Sequence, residues 1–211
     1  FGVGLDGYMP TTTKEWSRSR YWLCHFLNSR HQRPRIEWTA SVAQGHPQAR
    51  EGLLDWLTHL AAIAQAPRPW MLDRAARLHA HDPAFIQALR LHAKEDTHLG
   101  RQALRTTDRF HFTTSVLHKA EVLTRPLRRF LGLRFEISLR LLNHLIEVNI
   151  AQVAQCIDRE PVMQGVLAQI RHDRRDHISF AAEWLTLQFA DFNFLRRNLR
   201  RLRLRGLFAC M

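Results

Sequence analysis

Residues 85–105 read FIQALRLHAKEDTHLGRQALR, and this stretch predicts a long amphipathic helix with a polar centre. Leucine and alanine recur at helical spacing, while Glu95 and His98 stand three residues apart near the middle. Residues at that spacing lie one above the other on the same helix face. The pair therefore directs a carboxylate and an imidazole to one place, although a Glu and a His spaced in this way often only share a solvated surface.

Two later helical stretches repeat the pattern. His144 and Glu147 are three residues apart in an otherwise apolar run, and Asp173 and His177 are four residues apart further along the chain. Three helices would thus each present a carboxylate and an imidazole to the interior. Mixed sets of imidazole and carboxylate ligands suit iron, manganese or zinc. Without a metal, buried carboxylates need cationic partners.

The composition is that of a globular protein with a strongly basic balance. The 211 residues include 31 Lys and Arg against 19 Asp and Glu, which gives a formal net charge of +12. This balance suits nucleic acid, an anionic membrane surface or an acidic protein as a partner. It also fits a coding bias towards Arg, so charge alone selects none of these partners.

Cysteine usage and apolar run length favour a cytoplasmic protein. Cys24, Cys156 and Cys210 are far apart and lack the spacing of zinc sites, so we expect a reducing compartment and no disulfide framework. Every apolar run is interrupted by Arg, His or Asp well before the roughly 18 residues of a membrane span. No signal-peptide pattern is seen at the start. Peripheral attachment to a membrane surface stays open through the basic C-terminus.

The chain divides into three predicted regions: an irregular N-terminal arm over residues 1–48, a helical body over 49–190 and a basic tail over 191–211. The arm carries large aromatic side chains among Arg and Ser, and these would clamp it to the body by aromatic burial. Stacking on nucleic acid bases is the alternative role. The aromatic residues are Trp16, Tyr21, Trp22, Phe26 and Trp38.

The body shows helical periodicity without sustained strand-like alternation, which predicts an all-α class. Asp82 is the predicted N-cap of the helix that contains Glu95, with Pro83 at its first position. Pro126 and Pro161 are predicted to start the two later helices. A polar connection over 106–123 precedes them, and it is longer than usual in a bundle.

The tail alternates Arg with Leu. A solvated helix end is the simplest interpretation, and an amphipathic surface for anionic lipid or a phosphate-binding segment are the alternatives. Because such a run repels itself, we expect an acidic partner: a protein, an anionic membrane surface or nucleic acid. The charged positions are Arg196, Arg197, Arg200, Arg201, Arg203 and Arg205.

From about Leu53 to Leu187 the chain resembles a bacterial ferritin-like domain of the di-iron carboxylate superfamily. The resemblance rests on DPAFIQALRL at 82–91 followed by KEDTH at 94–98, and on IRHDRRDHISF at 170–180, which is similar to the family's D-E-x-x-H helix. It implies a ferritin-like up-and-down four-helix bundle with one crossover connection.

Transferred position by position, the ligand set of the family is incomplete. The fourth-helix Glu falls on Arg174, and the first-helix Glu falls near Gln65, where there is no carboxylate. Four of the six ligands fall on suitable residues: Glu95, His98, Glu147 and His177.

This departure from the family implies a degenerate metal site. Arg174 would pair with Glu95 or Glu147 and fill space that a metal ion would otherwise occupy. Asp173 matches the Asp that orients a ligand His in the family. His144 or Asp173 could complete a site for one iron or manganese ion, so the expected cofactor is none or one such ion. An intact di-iron centre is not expected.

Two functions follow from the resemblance. The first is a non-catalytic binding or structural component, either a homo-oligomer or a subunit of a larger complex. The alternative is a metal-dependent oxidoreductase or oxygenase, in which iron or manganese in the altered site would activate oxygen or a peroxide. Nothing in the sequence identifies a substrate, because ferritin-like folds host many chemistries.

Overall fold

The computed structural model describes residues 13–40, 47–65, 69–112 and 118–190, and within these ranges the chain is helical with no strand. The all-α prediction is confirmed. A 3-10 turn, Arg30–Gln32, follows the first helix. The α-helices are α1 Thr13–Ser29, α2 Pro47–Gln65, α3 Pro69–Leu78, α4 Pro83–Arg109, α5 His118–Ile157 and α6 Pro161–Ala190.

The prediction of an irregular N-terminal arm is wrong for residues 13–29, which form α1. This helix packs on α4 and also contacts α6. Trp22 and Phe26 are four residues apart and therefore share one helix face, and both are buried. The indole Nε1 of Trp22 donates to Glu183 Oε2 at 2.9 Å. The aromatic burial predicted for the arm is therefore provided by a regular helix.

The predicted start of α4 is confirmed. Asp82 is the N-cap, and its Oδ1 accepts a hydrogen bond from the Phe85 N–H at 3.0 Å, with Pro83 in the first turn. The second oxygen of Asp82 accepts from the Ser19 hydroxyl at 2.6 Å. One carboxylate therefore caps α4 and fastens α1 to it. The predicted start of α6 at Pro161 is also confirmed.

The connection between α4 and α5 is shorter than predicted. Helix α4 continues to Arg109, and α5 begins at His118, well before the predicted start at Pro126. Lys, Ala, Glu and Leu in the intervening sequence are good helix formers, which the polar composition obscured. Gly132 interrupts α5 with φ 89°, a conformation that side chains with a Cβ rarely adopt. The helix therefore consists of two segments.

Two apolar clusters fill the interior. The first lies among α1, α3, the start of α4, residues 133–137 of α5 and the end of α6, and includes Phe26, Phe85 and Phe180. The second lies among α2, the end of α4, the end of α5 and the start of α6, and includes Leu57 and Leu167. The helices that run from one cluster to the other are α4, α5 and α6.

A polar layer separates the two clusters. It occupies residues 90–98 of α4, 136–150 of α5 and 171–179 of α6, stretches that lie largely between the residues that each helix contributes to the two clusters. Several charged and imidazole side chains in these stretches are buried. Burial of a charge is costly unless the charge is paired, so the contacts within this layer decide what the protein can do.

No helix in the described part of the chain is apolar over a length sufficient to cross a bilayer. Cys24 and Cys156 are exposed free thiols. Cys210 and the basic tail, with its predicted anion-binding arginines, lie outside the described residues, as do residues 113–117 of the predicted connection before α5.

Candidate functional site in the polar layer

Arg174 is at the centre of the polar layer and is 2% exposed. Its Nε donates to Glu147 and its Nη1 donates to Asp96. The same Nη1 lies 3.0 Å from Nδ1 of His177. Burial alone would lower the pKa of Arg174, but Glu147 and Asp96 outweigh burial and raise it. The expected inward orientation and the expected pairing with Glu147 are therefore both present.

Asp96 joins two arginines and was missed by the sequence reasoning. Its Oδ1 accepts from Arg174 and its Oδ2 accepts from Nη1 of Arg140 at 2.8 Å. Burial raises the pKa of Asp96, but Arg174, His92 and Arg140 together hold it well below its usual value. The carboxylate is therefore ionised at neutral pH. The signal available in the sequence was its position four residues after His92, on the same helix face.

Glu95 is held by the N-terminal region as well as by α6. His177 Nε2 lies 2.9 Å from its Oε2. Arg30 Nε and Arg33 Nη2 lie 3.3 and 3.2 Å from its Oε1. Burial raises the pKa of Glu95, and the two arginines oppose this rise. The cations that balance Glu95 thus come from the turn after α1.

Asp173 does not take the role that the resemblance implied. Its Oδ1 accepts from Nε of Arg33 at 2.9 Å, so its identified partner is an arginine and not a ligand histidine. Burial raises the pKa of Asp173, opposed by Arg33. In the sequence, Arg33 falls within the predicted N-terminal arm. No sequence pattern near it indicates that the chain contacts α4 and α6 after α1.

His98 is separate from the buried imidazoles of the layer, contrary to the expectation that it meets Glu95 at one site. Its Nε2 lies 3.2 Å from Gln102 Nε2 and 3.4 Å from Gln169 Nε2. Burial lowers the pKa of His98. A three-residue step shifts a side chain by about 4.5 Å along the helix. That shift places His98 towards the second apolar cluster.

Three other imidazoles form a compact buried group, which we call the histidine triad: His92, His144 and His177. One ring nitrogen of each lies within 4.8 Å of the others. The ring centroids are 3.8 Å apart for His92 and His177, 5.3 Å for His92 and His144, and 5.2 Å for His144 and His177. Burial is the main cause that lowers the pKa of each well below its usual value. All three are therefore neutral and offer lone pairs.

The triad is already partly engaged by protein groups. Both nitrogens of His177 have partners, Arg174 and Glu95. Nδ1 of His92 lies 3.3 Å from Nη1 of Arg140. By contrast, Nδ1 of His144 is buried with no hydrogen-bond partner among the described residues. An ion bound by all three imidazoles would have to replace at least one of these contacts on His177.

The α5 helix carries a polar series that sequence reasoning read only in part. Glu136, Arg140, His144 and Glu147 follow one another at spacings of four, four and three residues, so they share the inward face. Glu136 accepts from Arg128 at 2.8 and 2.5 Å and lies 3.4 Å from Nε of Arg140. That regular spacing was the signal for Glu136 and Arg140.

The formal charges of the layer cancel without a metal ion. Among the residues that the structure describes, five carboxylates contact five guanidinium groups and the triad is neutral, so the formal charges of these groups sum to zero. The carboxylates are Glu95, Asp96, Glu136, Glu147 and Asp173, and the arginines are Arg30, Arg33, Arg128, Arg140 and Arg174.

The donor set therefore allows two kinds of chemistry. The carboxylates and arginines form an ion-pair network, and the imidazoles are the groups with metal-binding capacity.

No family model, curated protein or solved structure matches the chain.

Proposed function

We propose that this protein is a ferritin-like helical bundle in which an ion-pair network replaces the metal site, and that it acts as a non-catalytic binding or structural component. In this arrangement α2, α4, α5 and α6 are the four helices of the bundle, and α1 and α3 are additions at one end. The observation that carries the proposal is the contact of Arg174 with Glu147 and Asp96. The ferritin-like resemblance assigns a ligand Glu to that position.

Charge balance supports the same function. A di-iron site depends on an excess of carboxylate charge to offset its metal ions. Here Glu147 and Asp96 are instead satisfied by a guanidinium, which forms charge-assisted hydrogen bonds. A divalent ion would add two positive charges to a buried layer whose formal charges already cancel. Such an addition is unfavourable in a medium of low polarity.

The histidine triad favours a second candidate, the metal-dependent oxidoreductase. Neutral imidazoles are good ligands for iron, manganese and zinc. His144 has one nitrogen without a hydrogen-bond partner among the described residues, so it could accept a metal ion without losing a contact there. If one redox-active ion were bound, it would supply oxygen or peroxide activation. The chain's contribution would be three fixed ligands in a dry layer.

Metal analysis of the purified full-length chain distinguishes the two candidates. After treatment with a chelator, the protein is dialysed against Mn²⁺, Fe²⁺ under argon, or Co²⁺, and bound metal is measured by mass spectrometry. We expect substoichiometric metal in the wild type. About one equivalent, lost in His144→Ala, would support the oxidoreductase instead.

Arg174→Glu tests the replacement itself, because it restores a carboxylate where the resemblance places one. We expect this variant to bind Mn²⁺ or Co²⁺ more tightly than the wild type. Arg175→Glu is the matched control, since Arg175 is the exposed neighbour on α6 and its substitution changes the net charge equally. A folded Arg174→Glu protein, judged by circular dichroism, with no gain over the control would contradict the assigned position of Arg174.

A further inference from the structure

The outward face of α5 is uncharged over its C-terminal half. Leu145, Ile146, Val153 and Ile157 are 42%, 48%, 60% and 47% exposed. Between residues 141 and 157 the only Asp, Glu, Lys or Arg is Glu147, which is buried. Since 24% of the chain is charged, an uncharged face of this length is a distinct surface.

Six positions on this face, five of them apolar, are arranged symmetrically about one point of the helix. We define the α5 stripe as Leu142, Ile146, Asn149, Ile150, Val153 and Ile157. Leu142 and Ile157 are equally distant from the midpoint between residues 149 and 150, and so are Ile146 and Val153. The stripe extends about 22 Å along the helix axis. Reversal of the chain direction about that midpoint leaves the spacing of the stripe unchanged.

We propose that two copies of this chain associate through the α5 stripe as an antiparallel dimer with two-fold symmetry. An isologous interface requires a self-complementary surface. In this pairing Leu142 contacts the partner's Ile157, and Ile146 contacts the partner's Val153. The symmetric spacing satisfies that requirement, whereas an unrelated partner would impose no symmetry on the positions.

The absence of charge on the stripe argues against an acidic partner. Two chains of net charge +12 repel each other. This repulsion opposes their association least where the contacting faces carry no charge. An acidic protein, nucleic acid or anionic lipid would be recognised by basic side chains, which the stripe lacks. The second copy is therefore the occupant whose chemistry matches the stripe.

The central polar residue of the stripe is compatible with burial. Nδ2 of Asn149 donates to the Leu145 carbonyl at 2.7 Å within the same helix, so this N–H keeps a partner when water is excluded. Standard interfaces bury about 800 Å² on each partner. Helices that cross at about 20° contact each other over several turns, so the stripe and its flanks would form the core of such an interface.

Analytical ultracentrifugation of the full chain tests the dimer. We expect the wild type to sediment as a dimer and Ile146→Lys as a monomer. Leu27→Lys is the matched control, because Leu27 is 49% exposed on α1, against 48% for Ile146, and the introduced charge is the same. A monomeric wild type, or a dimeric Ile146→Lys protein, would overturn the proposal.

Disulfide trapping tests the position of the two-fold axis. In a background with Cys24, Cys156 and Cys210 replaced by Ser, Asn149→Cys should form a covalent dimer under mild oxidation. Its symmetry mate lies only about 1.5 Å away along the helix axis, within reach of a disulfide. Ile157→Cys should not form one, because its mate lies about 22 Å away. The reverse pattern would exclude an antiparallel pairing centred on the stripe.

Salt and truncation distinguish this dimer from other forms of association. Added salt should strengthen the dimer, because it screens the repulsion between two basic chains. Weakening by salt would instead indicate electrostatic association and contradict the proposal. If the wild type is monomeric and becomes dimeric after deletion of residues 191–211, the C-terminal segment is the occupant of the stripe. The inference does not depend on the proposed function of the polar layer.

Discussion

Asp96 on α4 and Arg140 on α5 are joined by a hydrogen bond of 2.8 Å between Oδ2 and Nη1. The same Asp96 contacts Arg174 on α6 through its other oxygen. One buried carboxylate therefore connects the three helices that cross the polar layer. Removal of its charge would leave one buried positive charge in excess, shared by the two guanidinium groups.

Asp96→Asn should destabilise the protein by about 3–5 kcal/mol, the effect of removing one partner from a buried ion pair. The amide keeps the shape of the side chain, so the loss reports charge and not volume. Urea unfolding followed by circular dichroism gives the free energy of unfolding. Asp108→Asn is the control, since Asp108 is exposed on the same helix. Equal midpoints for the two variants would contradict the assigned network.

Arg174→Met should also lower the free energy of unfolding, by about 3–5 kcal/mol, because Glu147 and Asp96 would remain buried without their shared cation. Methionine retains much of the volume and flexibility of the side chain. Arg175→Met, on the exposed side of α6, should change stability by less than about 0.5 kcal/mol. A stable Arg174→Met protein would mean that the carboxylates find other partners.

Stability should fall as the pH drops below about 6.5. Burial lowers the pKa of each imidazole in the histidine triad well below that of the unfolded chain, which is near 6.5. Below that pH the unfolded state binds more protons than the folded state, so unfolding becomes favoured by up to about 1.4 kcal/mol per pH unit for each histidine. Urea unfolding between about pH 7.5 and 5.5 measures this slope.

His144→Gln should reduce that pH slope, because it removes one of the three buried imidazoles. Glu95 and Asp173 act in the opposite direction, because their raised pKa values stabilise the fold at low pH and this contribution is lost as the pH rises through the folded values. An equal pH slope in the wild type and in His144→Gln would contradict the contribution assigned to the triad.

Asp82→Ala should destabilise the protein by about 1–2 kcal/mol, through loss of the α4 cap and of the hydrogen bond from Ser19. Asp73→Ala provides the control, since Asp73 is exposed on α3. Thermal unfolding of the two variants makes the comparison. If the Asp82 variant matches the control, water replaces the cap without loss.

Deletion after Leu195 should remove most binding to polyanions or anionic vesicles while the helical body stays folded. The six arginines of residues 196–205 contribute charge and little apolar periodicity, so their loss should not affect the core. Binding by the full chain should weaken steeply with added salt. Measurements with a DNA oligonucleotide and with vesicles that contain phosphatidylserine identify the kind of anion. Equal binding by the truncated chain would show that the tail is only a solvated end.

Periodicity in the sequence was sufficient to predict most of the body. The cap at Asp82 and the start at Pro161 depend on local chemistry, and local chemistry is visible in a sequence. The inward position of Arg174 was predicted from the ferritin-like resemblance, because that resemblance assigns a ligand Glu to the same position of the fourth helix. The interruption at Gly132 was not recognised, because a glycine within a long apolar pattern is compatible with several conformations.

The partners within the polar layer were harder to predict. Glu95 was expected to meet His98, but contacts His177 and two arginines of the turn after α1. His92 and Asp96 were overlooked although they flank the motif. The spacing of residues predicts which of them share one face of a helix. The contact partner of each side chain depends on how helices and turns that are distant in sequence pack together. Local sequence patterns do not show that packing.

Arg30 and Arg33 set a limit on where the chain can be shortened. They supply two of the five positive charges that offset the carboxylates of the polar layer. A fragment that begins at residue 49 would retain every carboxylate but only three of the arginines, so the formal sum of the layer would change from zero to −2. We therefore expect a shortened piece that keeps this fold to begin before α2, at a point that includes the turn after α1.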